Sequence, residues 1–84
     1  MDSRVLSRAI RDVLTHHGGL AVDLQAVPDS GDLYALGLAS HATVNVVLAL
    51  EDRLGIDIPD ELLVKSTFAS IESIRDALCD LVSR

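Results

Sequence analysis

One cysteine in 84 residues excludes an internal disulfide, and nothing points to an oxidising compartment. No Cys/His set occurs at zinc-ligand spacing, so no metal site is expected. Tryptophan is absent, and Tyr34 and Phe68 are the sole aromatic residues besides the histidines. That excludes the stacking platform on which single-stranded nucleic acid is bound. Basic residues are scarce too: seven Lys and Arg face thirteen Asp and Glu, for a net charge of −6. A surface of that sign repels a phosphate backbone, so no nucleic-acid partner is expected. Long apolar runs are missing. The start, Met1-Asp2-Ser3-Arg4, does not read as a signal peptide, and no stretch reaches membrane-spanning length. The expectation is a cytoplasmic monomer without a membrane partner.

What is present is a 49% apolar composition built from Leu, Ile, Val and Ala, which suits packed helices. The length fits a single domain over residues 1–84, with little room for a deep pocket or a lid, so an enzyme with its own complete active site is not expected. Charge is distributed unevenly. Residues 1–22 carry three Arg and two Asp, whereas residues 23–84 carry eleven acids and four bases. The acidic part is suited to steering a basic partner, and it serves solubility equally well.

Helical periodicity appears first after Ser3, a suitable N-cap, with Leu6, Ala9, Ile10, Val13 and Leu14 on one face. His16 and His17 close that helix and Gly18-Gly19 stop it. A long loop follows, in which Leu20, Val22, Leu24, Val27, Leu33, Leu36 and Leu38 can pin the chain to a core, and Asp32-Leu33-Tyr34-Ala35 can form a helical turn. A second helix runs from Ser40 to about Leu54, with Val44, Val47, Leu48, Leu50 and Leu54 as its apolar face, and Gly55 ends it. Ile56-Asp57-Ile58 alternates over too few residues for a strand. Pro59-Asp60-Glu61 opens a short third helix continuing through Leu62, Leu63 and Val64. The last helix starts near Ser70 and carries Ile71, Ile74, Leu78, Leu81 and Val82, with Phe68 as a plug or staple before it. The expected fold is all-α: a small four-helix bundle with a long first loop and a short third helix.

The segment that carries chemistry is Asp32-Leu33-Tyr34-Ala35-Leu36-Gly37-Leu38-Ala39-Ser40. A glycine turn delivers a serine to the start of a helix. There the backbone N–H groups are unpaired and the helix dipole is positive, so a phosphate ester on the serine oxygen would sit in a favourable field. The plainer reading is a serine that caps the helix, and the nonapeptide by itself leaves both open.

Residues 32–74 resemble the acyl carrier protein family. The matches run in order: Leu36-Gly37-Leu38-Ala39-Ser40-His41, then Val44, Leu50-Glu51-Asp52, Ile58-Pro59-Asp60-Glu61 and Thr67-Phe68-Ala69-Ser70-Ile71. The resemblance implies a helical bundle of acyl-carrier type and a 4′-phosphopantetheine arm on Ser40, added by a phosphopantetheinyl transferase. It implies no catalytic residues, because the chemistry happens in partner enzymes. Gly37 would allow the tight approach into the helix, and Leu38 would anchor that turn.

Two positions depart from the family pattern. Ala39 stands where an aspartate usually precedes the serine, and His41 where an apolar residue usually follows it. The Asp-Leu-Tyr-Ala-x-Gly-Leu-x-Ser and Phe-Ala-Ser-Ile runs are similar to those of the stand-alone aminoacyl carrier proteins. That likeness implies an amino acid held as a thioester on the arm. The loading enzyme would be an ATP-dependent amino acid:carrier protein ligase resembling a class II seryl-tRNA synthetase core, with a further acceptor enzyme downstream. A conventional carrier of fatty-acid or polyketide synthesis and an unmodified helical interaction module are the alternatives.

Candidate partner-docking residues are Ala39, His41, Val44, Glu51, Asp52, Asp60 and Glu61. Solvated helix ends explain the acids nearly as well. His16 and His17 read as helix-end residues, and His41 as an exposed neighbour of the arm. The first helix is expected to face away from a partner. Cys79 reads as a partly buried structural thiol.

Overall fold

The computed structural model describes residues 2–82; Met1, Ser83 and Arg84 lie outside them, and with them the ends of the expected 1–84 domain. Among the described residues there are three α-helices and no strand: α1 (Ser3–His17), α2 (Ser40–Leu54) and α3 (Ile71–Val82). None is long and apolar enough to cross a membrane. Between α2 and α3 lie two 3₁₀ turns, Asp60–Leu62 and Lys65–Phe68.

Helix α1 forms where the sequence periodicity puts it, and its buried face is Leu6, Ala9, Ile10, Val13 and Leu14. Its cap is Asp2 rather than Ser3: the Asp2 carboxylate accepts the Arg4 N–H at 2.9 Å, and Ser3 is already helical. Helix α1 packs against both α2 and α3. Helix α3 buries Ile71, Ile74 and Leu78, with Leu81 and Val82 packed at the edge of the same core. The Ser70 hydroxyl accepts the Ser73 N–H and the Ser73 hydroxyl accepts the Ser70 N–H, both at 3.0 Å, a reciprocal cap at the start of α3. Phe68 is buried beneath it as a core plug.

Three further expectations change. Helix α2 buries Ala42, Val46 and Leu50, whereas Val44 and Leu48 are 60% and 59% exposed. Its apolar residues run almost all the way round, so hydrophobicity alone does not fix which face turns inward. The short third helix is replaced by the two 3₁₀ turns. Leu63 (φ −86°, ψ 56°) and Val64 (φ −125°, ψ 158°) leave helical backbone between them. A segment this short cannot recover the cost of helix nucleation, and Val64 and Thr67 are β-branched. Cys79 also differs: it is exposed on α3, because the core stripe passes through Leu78.

The connection over residues 18–39 has little regular structure and is held in three ways. Leu24, Val27, Leu33 and Leu38 are buried in the core; Val22, in contrast, faces out. Backbone bonds tie it to the α3 end: Leu33 N–H to Ala69 O at 2.8 Å and Glu72 N–H to Asp29 O at 2.9 Å. Arg11 of α1 reaches across to donate to the carbonyls of Leu24 and Val27 and to the Asp29 carboxylate at 2.5 Å. Arg75 of α3 meets the other oxygen of Asp29 at 3.0 Å.

The Arg11 guanidinium, with Arg75 behind it, holds the Asp29 carboxyl below its ordinary pKa against a smaller opposing effect of burial. A carboxyl whose pKa is depressed by folding adds stability above its unfolded pKa and loses it as pH falls through the folded one. Asp29→Asn is therefore expected to lower Tm near neutral pH and to flatten the loss of stability below about pH 4, near the carboxylate reference value. Thermal melts of both proteins across that range check this. Arg11→Ala is expected to cost about 1–3 kcal/mol, because it strands the two carbonyls as well as the carboxylate.

Candidate phosphoryl-group site at the start of helix α2

Asp32 begins the local construction. Its Oδ1 accepts the N–H groups of Tyr34 and Ala35 at 3.0 and 3.3 Å, nucleating a turn over residues 33–37. The turn closes by Gly37 N–H to Tyr34 O at 3.1 Å and Leu38 N–H to Leu33 O at 3.0 Å, the paired bonds of a Schellman motif. Gly37 sits at φ +113°, a backbone region that side chains disfavour, which is why glycine stands there. Leu38 then drops into the core and Ala39 turns the chain into α2 with extended geometry (φ −85°, ψ 149°).

Ala39, not Ser40, is thus the N-cap of α2, and it has no side chain to cap with. Ser40 is the first helical residue. It is exposed, and its hydroxyl makes no hydrogen bond among the described residues. The capping role that the sequence left open is therefore not the one Ser40 fills. Among the described residues, the Ser40 and His41 N–H groups have no intrahelical partner and no side-chain acceptor, while Ala42 N–H donates to Ala39 O at 3.0 Å, and the helix dipole is positive at that point. A free hydroxyl at an uncapped helix start fits a covalently attached phosphate.

Beside Ser40 runs an open groove of about 560 Å³ between α2 and the 3₁₀ turns. One flank is the outward stripe of α2, from Ser40 and Val44 to Leu48 and Glu51; the other includes Leu63, Val64 and Lys65, with Tyr34 at one end. Of the sequence candidates, Ser40, Val44, Glu51 and Asp60 meet in this groove. Ala39, His41 and Glu61 do not line it, and Asp52 lies in a separate groove against His16 and His17 of α1. The Glu51 carboxylate has a structural task, since its Oε2 accepts the Ile58 N–H at 2.9 Å. His41 is exposed. No three His, Cys, Asp or Glu residues converge to hold a metal among the described residues.

Tyr34 and Lys65 are the groove residues that sequence reasoning passed over. The Tyr34 hydroxyl donates to Lys65 O at 2.9 Å, and the Lys65 ammonium lies 5.2 Å from the centre of the Tyr34 ring. Burial, reinforced by the Asp32 charge, pushes the Tyr34 hydroxyl above its ordinary pKa, so it stays a donor. Lys65 is the sole lysine of the chain, a signal visible in the sequence itself.

These features are those of a small helical protein with an exposed hydroxyl at a helix start. The family model for a phosphopantetheine attachment site matches residues 4–78, and the chain belongs to that family, which carries 4′-phosphopantetheine covalently on a serine and is non-catalytic. More particularly, the chain is 38% identical over 73 residues to the aminoacyl carrier protein of Agrobacterium fabrum, covering 87% of this chain and 88% of the relative. It also matches the fold in a crystal structure of an engineered Bradyrhizobium japonicum glycine:[carrier protein] ligase complexed with a carrier protein from Agrobacterium tumefaciens and AMP. That match has TM-score 0.82 and 38% identity, over 87% of this chain and 97% of the other. A Bradyrhizobium japonicum ligase complexed with a glycylated carrier protein gives TM-score 0.64 at 24% identity, over 89% and 95% of the two chains, a likeness of fold alone.

Two stability measurements check the site's construction. Ala39→Asp is expected to stabilise the apo protein by about 1 kcal/mol by capping α2, which in a domain this small raises Tm by roughly 4–8 °C. Leu50→Ala is expected to cost about 2–5 kcal/mol, and Leu48→Ala to stay within about 0.5 kcal/mol of wild type. Denaturant melts that reversed that order would refute the assignment of faces on α2.

Proposed function

We propose that Ser40 is the attachment site of the phosphopantetheine arm and that the chain carries an amino acid. The observation that bears most weight is the exposed, unbonded Ser40 hydroxyl at an uncapped helix start beside an open groove. When bound, the arm supplies a terminal thiol that holds an acyl group as a thioester. The chain's own residues do the rest. Ser40 supplies the oxygen for the phosphodiester. The Asp32 turn and Gly37 hold that oxygen outward, and the free N–H groups of α2 favour the phosphate charge.

The amino-acid cargo is supported by the 38% identity to an aminoacyl carrier protein across most of both chains. On this reading a phosphopantetheinyl transferase modifies Ser40. An ATP-dependent amino acid:carrier protein ligase, resembling a class II seryl-tRNA synthetase core, then loads the arm, and an acceptor enzyme receives the amino acid. The protein acts as a cytoplasmic monomer, one carrier domain over residues 1–84. The docking face is the exposed stripe of α2 around Val44 and Leu48, with Ala39 and His41 at its head and Asp52, Asp60 and Glu61 as acidic rim. Glu51 contributes by holding Ile58 in place.

Apo protein incubated with coenzyme A and a broad-specificity phosphopantetheinyl transferase is expected to gain the mass of one arm, and Ser40→Ala to gain none. Persistence of the gain in Ser40→Ala would overturn the site. Holo protein given ATP, a glycine-type ligase and radiolabelled amino acids, glycine first, is expected to take up label that hydroxylamine releases. Uptake of malonyl or fatty acyl groups instead would overturn the amino-acid reading.

A further inference from the structure

The groove beside Ser40 contains one basic side chain. Lys65 stands on the second 3₁₀ turn, and its other charged neighbours along the groove are the carboxylates of Glu51 and Asp60. Glu51 is engaged with the Ile58 N–H. Lys65 forms no ion pair with a carboxylate among the described residues; its ammonium instead lies over the Tyr34 ring. The Tyr34 hydroxyl, bonded to Lys65 O, fixes the backbone from which this side chain springs. A long, exposed cation has therefore been set on a rigid base and left without an anion, in the same groove as a hydroxyl suited to phosphorylation chemistry.

We infer that Lys65 is a positioning residue for the arm: its ammonium leaves the Tyr34 ring and pairs with the phosphodiester on Ser40. The inference rests on Ser40 bearing the arm. A phosphodiester carries one permanent negative charge across the physiological pH range, and Lys65 is the one basic side chain that lines the same groove as Ser40. The start of α2 supplies only backbone N–H groups, because Ala39 and the residues following Ser40 bring no basic side chain other than His41. An exposed cation–π contact and an exposed ion pair are of similar small strength, so the exchange needs little driving force. Its effect is directional. An arm held at its phosphate by Lys65 is aimed along the groove between α2 and the 3₁₀ turns rather than out over α1.

Because Lys65 is the sole lysine, a sample labelled with ¹³C and ¹⁵N at lysine gives a single side-chain signal. Apo and holo proteins are compared by NMR in phosphate-free buffer, with the holo state checked by intact mass. The Lys65 Cε–Hε signal and the Tyr34 ring signals are expected to shift from apo to holo. The shift should shrink as ionic strength rises towards about 1 M, where the screening length falls to about 3 Å. The ³¹P signal of the holo protein is expected to move in Lys65→Gln and to return in Lys65→Arg, readouts that a purely structural lysine would not alter. If mass is gained but the Lys65 signal is the same in apo and holo protein, or the ³¹P signal ignores Lys65→Gln, this inference fails and Ser40 stands. If no mass is gained, the Ser40 reading fails first.

Discussion

Arg11 reaches from α1 into the 18–39 connection, where its guanidinium meets the carbonyls of Leu24 and Val27 and the carboxylate of Asp29. Arg75 comes to the same carboxylate from α3. A connection of this length would otherwise be a floppy link between α1 and α2, and ordering it costs conformational entropy at every residue. The two arginines and four buried apolar side chains offset that cost by joining the loop to both flanking helices. What this fixes is the approach to α2. The Asp32 turn, Gly37 and Ala39 follow directly from the pinned segment, so the orientation of the Ser40 hydroxyl traces back to a guanidinium on a different helix. The ion pairs themselves are partly exposed, and their strength comes from the carbonyls that Arg11 satisfies at the same time.

Helix α2 is built with two apolar faces and one weak end, and each is a local sacrifice of stability. Ala42, Val46 and Leu50 turn inward, as a core requires; Val44 and Leu48 turn outward beside Ser40, where burial gives them nothing in the isolated chain. An alanine at the N-cap forgoes a capping bond that Asp or Ser would supply. Both suit the proposed use of the start and outer face of α2 as the carrier's contact surface.

Much of this was legible from residue types and spacing. The end of α1, both ends of α2, a turn starting at Asp32, the core role of Phe68 and the place of Ser40 at a helix start all follow from local signals: periodicity, glycine, and short polar residues at turns. What escaped were properties set by three-dimensional packing. The inward face of α2 could not be read because its valines and leucines surround the helix. The segment after Pro59 carries helix-start chemistry, yet it is too short and too β-branched to propagate and resolves into 3₁₀ turns. The Arg11–Asp29–Arg75 link joins residues 18 and 46 positions apart, which no periodicity reports. Serine as cap or serine as modified residue was likewise undecidable from the motif. One residue of helix phase removes the capping role, because Ala39 and not Ser40 is the N-cap.

The charge distribution acquires a meaning that the net value lacks. An overall −6 suggests an acidic surface throughout, but the residues flanking Ser40 are Ala39 and His41, and the nearby groove holds the chain's one lysine. The charges of α1 are partly spent internally: Arg11 on the loop, and the Asp12 carboxylate on Arg53 of α2 at 3.1 Å. Among the acids, Glu51 and Asp60 line the groove that Ser40 lines, whereas Asp52 lies in the separate groove against α1. On the proposed reading, a partner approaching Ser40 would meet no carboxylate at the two flanking positions and would meet Glu51 and Asp60 along the groove. On the proposed docking face, rim charge would speed encounter and the exposed stripe of Val44 and Leu48 would be desolvated on contact, which gives steering and affinity to different residues.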